Sequence, residues 1–145
     1  IAIDRDFQIL VITGRNEHLK DKLSKMLDST IHNKNICLLG YTNKMNDILA
    51  SIDVLISKPG GLTTTEALLN DVPMIVPYFI PGQEEENAAY LEKNKVAIWI
   101  KKGDNIKKIL NELFYNPDKM QEMKIRARLI SKKNSTKDIC KILLG

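Results

Sequence analysis

Five short apolar runs recur along the chain: Ile9 to Ile12, Ile36 to Leu39, Val54 to Ile56, Met74 to Val76 and Val96 to Ile100. Each is rich in β-branched residues and nearly unbroken by polar ones, so both faces of such a strand demand burial. A parallel sheet covered by helices on both sides provides that burial. Between and after the runs, apolar residues fall at helical spacing over about 17–29, 44–51, 63–70, 84–94, 104–115, 118–131 and 136–144. Strand alternating with helix predicts an α/β fold, a Rossmann-like open parallel sheet of the doubly wound type. The 145 residues are enough for one domain with a sizeable core.

Composition narrows the class. Hydrophobic residues make up 43% and charged residues 28%, as in a soluble globular protein. No apolar run approaches the roughly 20 residues that span a bilayer. The first residues, Ile1 to Asp6, are mixed and charged, unlike a signal peptide, and no Met starts them. The expectation is a cytoplasmic domain excised from a longer protein. Cys37 and Cys140 lie far apart without a metal-ligand pattern, so free thiols and no metal or cofactor are expected. The net charge of +4 is concentrated late, in Lys119, Lys124, Arg126, Arg128, Lys132, Lys133 and Lys137. A solvated helical face explains that cluster, and attraction to an anionic membrane surface is the sharper reading. Aromatics are sparse and not interleaved with the basic residues, which argues against nucleic acid.

In an open parallel sheet, ligands bind beyond the carboxyl ends of the strands. The unusual residues of this chain cluster there. Thr13-Gly-Arg-Asn16 follows the first strand, Gly40-Tyr-Thr42 the second, Ser57-Lys-Pro-Gly-Gly61 the third and Pro77-Tyr-Phe-Ile-Pro-Gly-Gln83 the fourth. Four such loops would converge on one rim.

The third loop carries the most chemistry. Two adjacent glycines at a strand-to-helix turn let backbone approach a ligand closely. The helix that follows aims free N–H groups and its positive dipole end at whatever sits there, the geometry of a phosphate site. Gly60, Gly61, Leu62, Thr63 and Thr64 are thus a candidate diphosphate cradle, and a plain tight turn with a helix start is the alternative. The segment has no Gly-Lys-Ser/Thr ending and is not a P-loop. Glu66, one turn further on, could bind ribose hydroxyls. Thr63 and Glu66 equally fit a capping box, in which the acid only satisfies the helix start. After the fourth strand, Gln83 and Glu84 stand where a turn meets a helix and could reach sugar hydroxyls. Glu84, Glu85 and Glu86 could also simply complement the helix dipole. After the second strand, Tyr41 could pack on a base ring, with Thr42 and Met45 nearby, or merely cover a loop. His18 and His32 have no partner pattern and are expected on the surface, and Trp99 in the core.

Taken together, Lys58-Pro-Gly-Gly-Leu-Thr-Thr-Thr-Glu-Ala67, Val72-Pro-Met-Ile-Val76 and Pro81-Gly-Gln-Glu-Glu-Glu-Asn-Ala88 resemble the donor-binding half of an inverting GT-B glycosyltransferase. The likeness is to the group of MurG, monogalactosyldiacylglycerol synthases and processive diacylglycerol glucosyltransferases. Val11-Ile-Thr-Gly-Arg-Asn16 resembles the first strand and loop of the lipid enzymes in that group. The resemblance implies that Gly60 to Thr64 hold the diphosphate of a UDP-sugar and that Glu66 binds ribose. It implies that Tyr41, Thr42 and Met45 contact uracil, that Gln83 and Glu84 touch the donor sugar, and that Gly14, Arg15 and Asn16 line the cleft. Asn87 would order its loop. Retaining relatives usually carry a second Glu where this chain has Lys58, which favours inversion.

The resemblance also implies an acceptor domain preceding this one, holding the general base that activates the acceptor hydroxyl. No candidate base stands out in this chain, so the domain alone is expected to bind a UDP-sugar and transfer little. The acceptor implied is a lipid such as diacylglycerol, with a location on the inner face of the membrane. Two other readings stay open: a UDP-N-acetylglucosamine-binding subunit of a two-chain transferase, and a UDP-sugar epimerase of similar architecture.

Overall fold

The computed structural model describes residues 7–28 and 35–144. It contains five strands and seven helices among those residues, in the order β1 (Ile9–Ile12), α1 (Glu17–Asp28), β2 (Ile36–Leu39), α2 (Met45–Ser51), β3 (Leu55–Ile56), α3 (Gly61–Leu69), β4 (Met74–Val76), α4 (Gln83–Lys93), β5 (Ala97–Trp99), α5 (Ile106–Phe114), α6 (Pro117–Ile130) and α7 (Ser135–Leu144). The fold is the expected α/β arrangement of parallel strands flanked by helices. Every apolar run named from the sequence holds a strand, and β3 and β5 are shorter than their runs.

The chain divides into two compact units at Met45/Asn46. In the first, β1 and β2 pair in parallel, with Ile9 opposite Ile36 and Ile12 opposite Leu39. In the second, the strand order is β3-β4-β5, all parallel, with Leu55 opposite Met74 and Val76 opposite Trp99. β4 is central and flanked on both edges, so Met74, Ile75 and Val76 are all buried. This is why its sequence is uniformly apolar rather than alternating.

One local device is used twice to aim strands into this sheet. After α3, Asp71 N–H donates to Leu68 O and Val72 N–H to Ala67 O, and after α4, Lys95 N–H donates to Glu92 O and Val96 N–H to Leu91 O. Both are Schellman closures, in which the residue past the cap turns left-handed and satisfies the last carbonyls. Asp71 and Lys95 each take φ 57°, a conformation that favours glycine. The residues whose backbones close each turn, Ala67 with Val72 and Leu91 with Val96, all belong to one buried apolar cluster. Met74, Val76, Ala88, Ala97 and Ala127 complete it.

The late basic residues largely serve this framework. Lys124 pairs with Asp53 at 3.1 Å, Arg128 with Asp71 at 2.9 Å, Lys133 with Asp71 at 3.8 Å, and Arg126 with Glu122 at 2.7 Å. Four of the seven cations read from the sequence as a charged face are thus matched by acids. Surface pairs of this kind each contribute about 0–1 kcal/mol. Their effect on the field is larger, because they reduce the charge that face presents. Among the described residues, no helix is long and apolar enough to cross a membrane.

Candidate functional site

Each unit brings together the loops that follow its neighbouring strands. In the first unit, Thr13 continues the ladder by donating N–H to Leu39 O at 3.0 Å, and its hydroxyl donates to the same oxygen at 3.2 Å. The chain then turns at Gly14, with φ 60° and open space about its α-carbon. Arg15 places its guanidinium 4.9 Å from the centre of the Tyr41 ring, a cation–π contact between the first and second loops. Tyr41 remains 63% exposed. Asn16 and Thr42 have local work: Asn16 Oδ1 accepts from Leu19 N–H at 2.9 Å, capping α1, and Thr42 Oγ1 accepts from Lys44 N–H at 3.1 Å just before α2. Met45 is the first residue of α2. His18 is exposed, and His32 lies outside the described residues.

In the second unit, the loops after β3 and β4 are tied together by side chains. Lys58 Nζ forms an ion pair and hydrogen bond with Glu84 Oε1. Glu84 Oε2 accepts from Ile80 N–H at 2.9 Å, and Asn87 Nδ2 donates to Pro59 O at 2.8 Å. That bond ties α4 to the third loop. Both oxygens of Glu84 are engaged within the protein, and its side chain is only 15% exposed. The Lys58 ammonium and the Ile80 amide hold the Glu84 carboxyl below its ordinary value of 4.5. Gln83 opens α4 and is exposed. Gly82, just before it, takes φ 106°, a conformation that requires glycine.

The start of α3 differs from the sequence expectation. The helix begins at Gly61, two residues before the predicted start, with Gly60 as its N-cap at φ −62° and ψ 147°. Thr63 is then the third helical residue rather than the cap, and Thr63 with Glu66 cannot form a capping box, which needs the acid three residues after the cap. The expectation failed because Thr63 fits a cap pattern locally, whereas the extended backbone of Gly60 makes it the cap and its carbonyl accepts from Thr64 N–H at 2.8 Å. Glu66 is exposed and makes no side-chain hydrogen bond or ion pair among the described residues.

Gly60 offers no cap and the first turn of α3 contains no acid. The N–H groups of Gly61, Leu62 and Thr63 therefore have no intrahelical acceptor. A Cβ on Gly60 would lie 3.8 Å from Glu84 Oε1 and 3.9 Å from Thr63 Oγ1, and one on Gly61 would meet nothing within 4 Å. Space is therefore open at the helix end. Leu62 is 82% exposed beside it. The Thr64 hydroxyl, by contrast, is buried without a hydrogen-bond partner. An uncapped helix end with open backbone favours an anion.

Trp99 is half-buried rather than fully enclosed. It meets Phe79 edge to face at 5.0 Å, with Lys101 Nζ 3.6 Å from the centre of its ring. Among the described residues no group of His, Cys, Asp or Glu could hold a metal ion. Two features escaped the sequence reading: the Lys58–Glu84 pair and the unsatisfied Thr64 hydroxyl. Opposite charges at the same height on the loops of adjacent parallel strands were the available signal for the first. The second depends on packing and had none.

Comparison with known proteins places this geometry. A model of the glycosyltransferase family 28 C-terminal domain matches residues 2–142. The processive diacylglycerol beta-glucosyltransferase of Bacillus pumilus is 34% identical over 139 residues, covering 96% of this chain and 36% of that protein. The enzyme of the same name from Staphylococcus aureus strain Newman is 33% identical over 144 residues, covering 99% and 36%. The chain thus spans little more than a third of the length of these relatives. Among solved structures, Acinetobacter baumannii MurG superposes with a TM-score of 0.72 at 20% identity, over 92% of this chain and 40% of that one. That likeness supports the fold of one half of a GT-B glycosyltransferase. The match along nearly the whole chain, with relatives above 30% identity, makes this chain a member of the glycosyltransferase family 28 C-terminal domain family.

Proposed function

We propose that this chain is the donor-binding half of a glycosyltransferase. It would bind a UDP-sugar and, with an acceptor-binding half, transfer the hexose with inversion to a lipid acceptor such as diacylglycerol. The observation that carries the reading is the N-terminus of α3, with glycine at the cap, no acid in the first turn, and Glu66 exposed one turn on and unpaired among the described residues. The free amides of Gly61, Leu62 and Thr63 would take the diphosphate, with the Thr64 hydroxyl beneath them. Glu66 would accept two hydrogen bonds from the ribose. Within the first unit taken by itself, Tyr41, with Arg15 against its ring, is the candidate for contact with a base. Gln83 would meet the sugar.

Catalysis in this scheme is assigned between the two halves. The residues here would hold the leaving diphosphate, where charge develops as the bond between the sugar's anomeric carbon and the diphosphate oxygen breaks, and preorganised amides stabilise that charge without reorganising. The base that removes the acceptor proton would come from the other half. A peripheral position on the inner face of a membrane follows from a lipid acceptor and needs no spanning helix.

Calorimetric titration with UDP and with UDP-glucose, UDP-galactose and UDP-N-acetylglucosamine tests the reading. Glu66→Ala should weaken UDP binding by the equivalent of about 1.5–3 kcal/mol, the range for charge-assisted hydrogen bonds, and leave the melting temperature unchanged. Unaltered UDP affinity in this variant would remove Glu66 from the site, and no binding of any UDP compound by the wild type would sink the proposal.

A further inference from the structure

The ion pair between Lys58 and Glu84 stands at the mouth of the α3 terminus and has no part in the donor scheme above. Glu84 Oε1 approaches within 3.8 Å of where a Cβ on Gly60 would sit. Its other oxygen is held by the Ile80 amide at 2.9 Å, so the carboxylate cannot swing away without losing that bond. A fixed carboxylate at a helix N-terminus is itself attracted to the dipole. It would compete with, and repel, any other anion arriving at the same amides.

We propose that Lys58 is a charge-compensating residue: its pairing with Glu84 neutralises a carboxylate built into the edge of the anion site, so that a nucleoside diphosphate can bind there. Lys58 is well placed for this. Its carbonyl accepts from Gly60 N–H at 3.0 Å, fixing the backbone of the turn, and its side chain is 43% exposed, close enough to water to respond to a ligand's charge. Glu84 in turn remains where it can brace Ile80 and the fourth loop. The loop is therefore ordered by a carboxylate whose charge the neighbouring loop cancels. The inference rests on the diphosphate reading of the α3 terminus.

The test is a double-mutant cycle on the full chain, with UDP and uridine as probes and thermal unfolding followed for each variant. In the wild type, UDP should bind more tightly than uridine. Lys58→Met should weaken UDP about tenfold, leaving a like charge unopposed at the site, and leave uridine unchanged. Glu84→Gln should bind UDP at least as tightly as the wild type. The double variant, Lys58→Met with Glu84→Gln, should return UDP affinity to near the wild-type level. A double variant as weak as Lys58→Met would overturn the inference, because Lys58 would then act on the phosphates directly or through the fold. So would unchanged UDP binding in Lys58→Met, parallel loss of uridine, or weakened UDP binding in Glu84→Gln. Should Lys58→Met fail to fold, the Glu84→Gln result alone decides. If the wild type fails to distinguish UDP from uridine, the diphosphate reading itself fails and the inference with it; every other negative leaves that reading standing.

Discussion

Helices α3 and α4 end alike and begin differently. Each closes with the same pair of reverse hydrogen bonds and a left-handed residue, and each feeds the next strand of the same sheet. Both start at a glycine with no side-chain cap. Yet α4 supplies Glu84, Glu85 and Glu86 in its own first turn, and α3 supplies no acid. Helices α5 and α6 sharpen the contrast, because Asn105 accepts from Lys107 N–H at 2.9 Å and Asn116 from Lys119 N–H at 3.1 Å. At α5 and α6 the chain satisfies the helix end with an asparagine, and at α4 it sets acids in the first turn. At α3 it supplies neither, at a cost of order 1 kcal/mol against a good cap, and the proposed reading gives that end to a ligand.

Four experiments would break or sharpen this comparison. The largest effect is expected at the shared C-terminal closure. Leu91, fully buried at the end of α4, occupies the position that Ala67 holds in α3. Leu91→Ala should cost about 2–5 kcal/mol in denaturant unfolding. A cost below 1 kcal/mol would mean that the closure after α4 does not anchor β5.

Gly60→Asn would give α3 the kind of cap that α5 and α6 have. The backbone at Gly60 is ordinary and the nearest atoms are 3.8 Å from its Cβ position, so the fold accommodates a side chain. Stability should rise by a few tenths of a kcal/mol, while UDP affinity falls about 10- to 100-fold as the new side chain occupies the amides. If both quantities stay level, the open end of α3 has no ligand.

Asn105→Ala is the reciprocal experiment. It should cost about 1 kcal/mol of stability with UDP affinity intact, as measured by thermal unfolding and calorimetry. A loss of UDP binding would remove the distinction between structural and functional helix ends.

The smallest effect concerns acid. Glu84 titrates below its ordinary value because Lys58 and the Ile80 amide favour its charged form. Such a group adds stability at neutral pH and loses that contribution as pH falls through its lowered value. Glu84→Gln should therefore show a smaller drop in melting temperature than the wild type between neutral pH and roughly pH 3. Equal drops would place the acid sensitivity elsewhere.

The alternation of apolar runs with helical spacing was sufficient to read the α/β class, because burial on both faces leaves a parallel strand little choice of composition. All five strands were legible for that reason. The start of α3 was not. Thr63 and Glu66 satisfy a local pattern, and only the extended backbone of Gly60, whose carbonyl accepts from Thr64 N–H, decides that the helix begins earlier. The pairing of Glu84 with Lys58 was likewise missed, since Lys58 lies 26 residues away in sequence and the charge signal becomes readable only once β3 and β4 are known to be neighbours. Asn16, read as a cleft residue, and Thr42, read as a uracil contact, each accept a hydrogen bond from a nearby backbone amide. Local periodicity determined which segments are strands and helices. Strand pairing, which sets which loops face each other and which helix ends stay open, was decided by the tertiary structure alone, because it depends on contacts between residues distant along the chain.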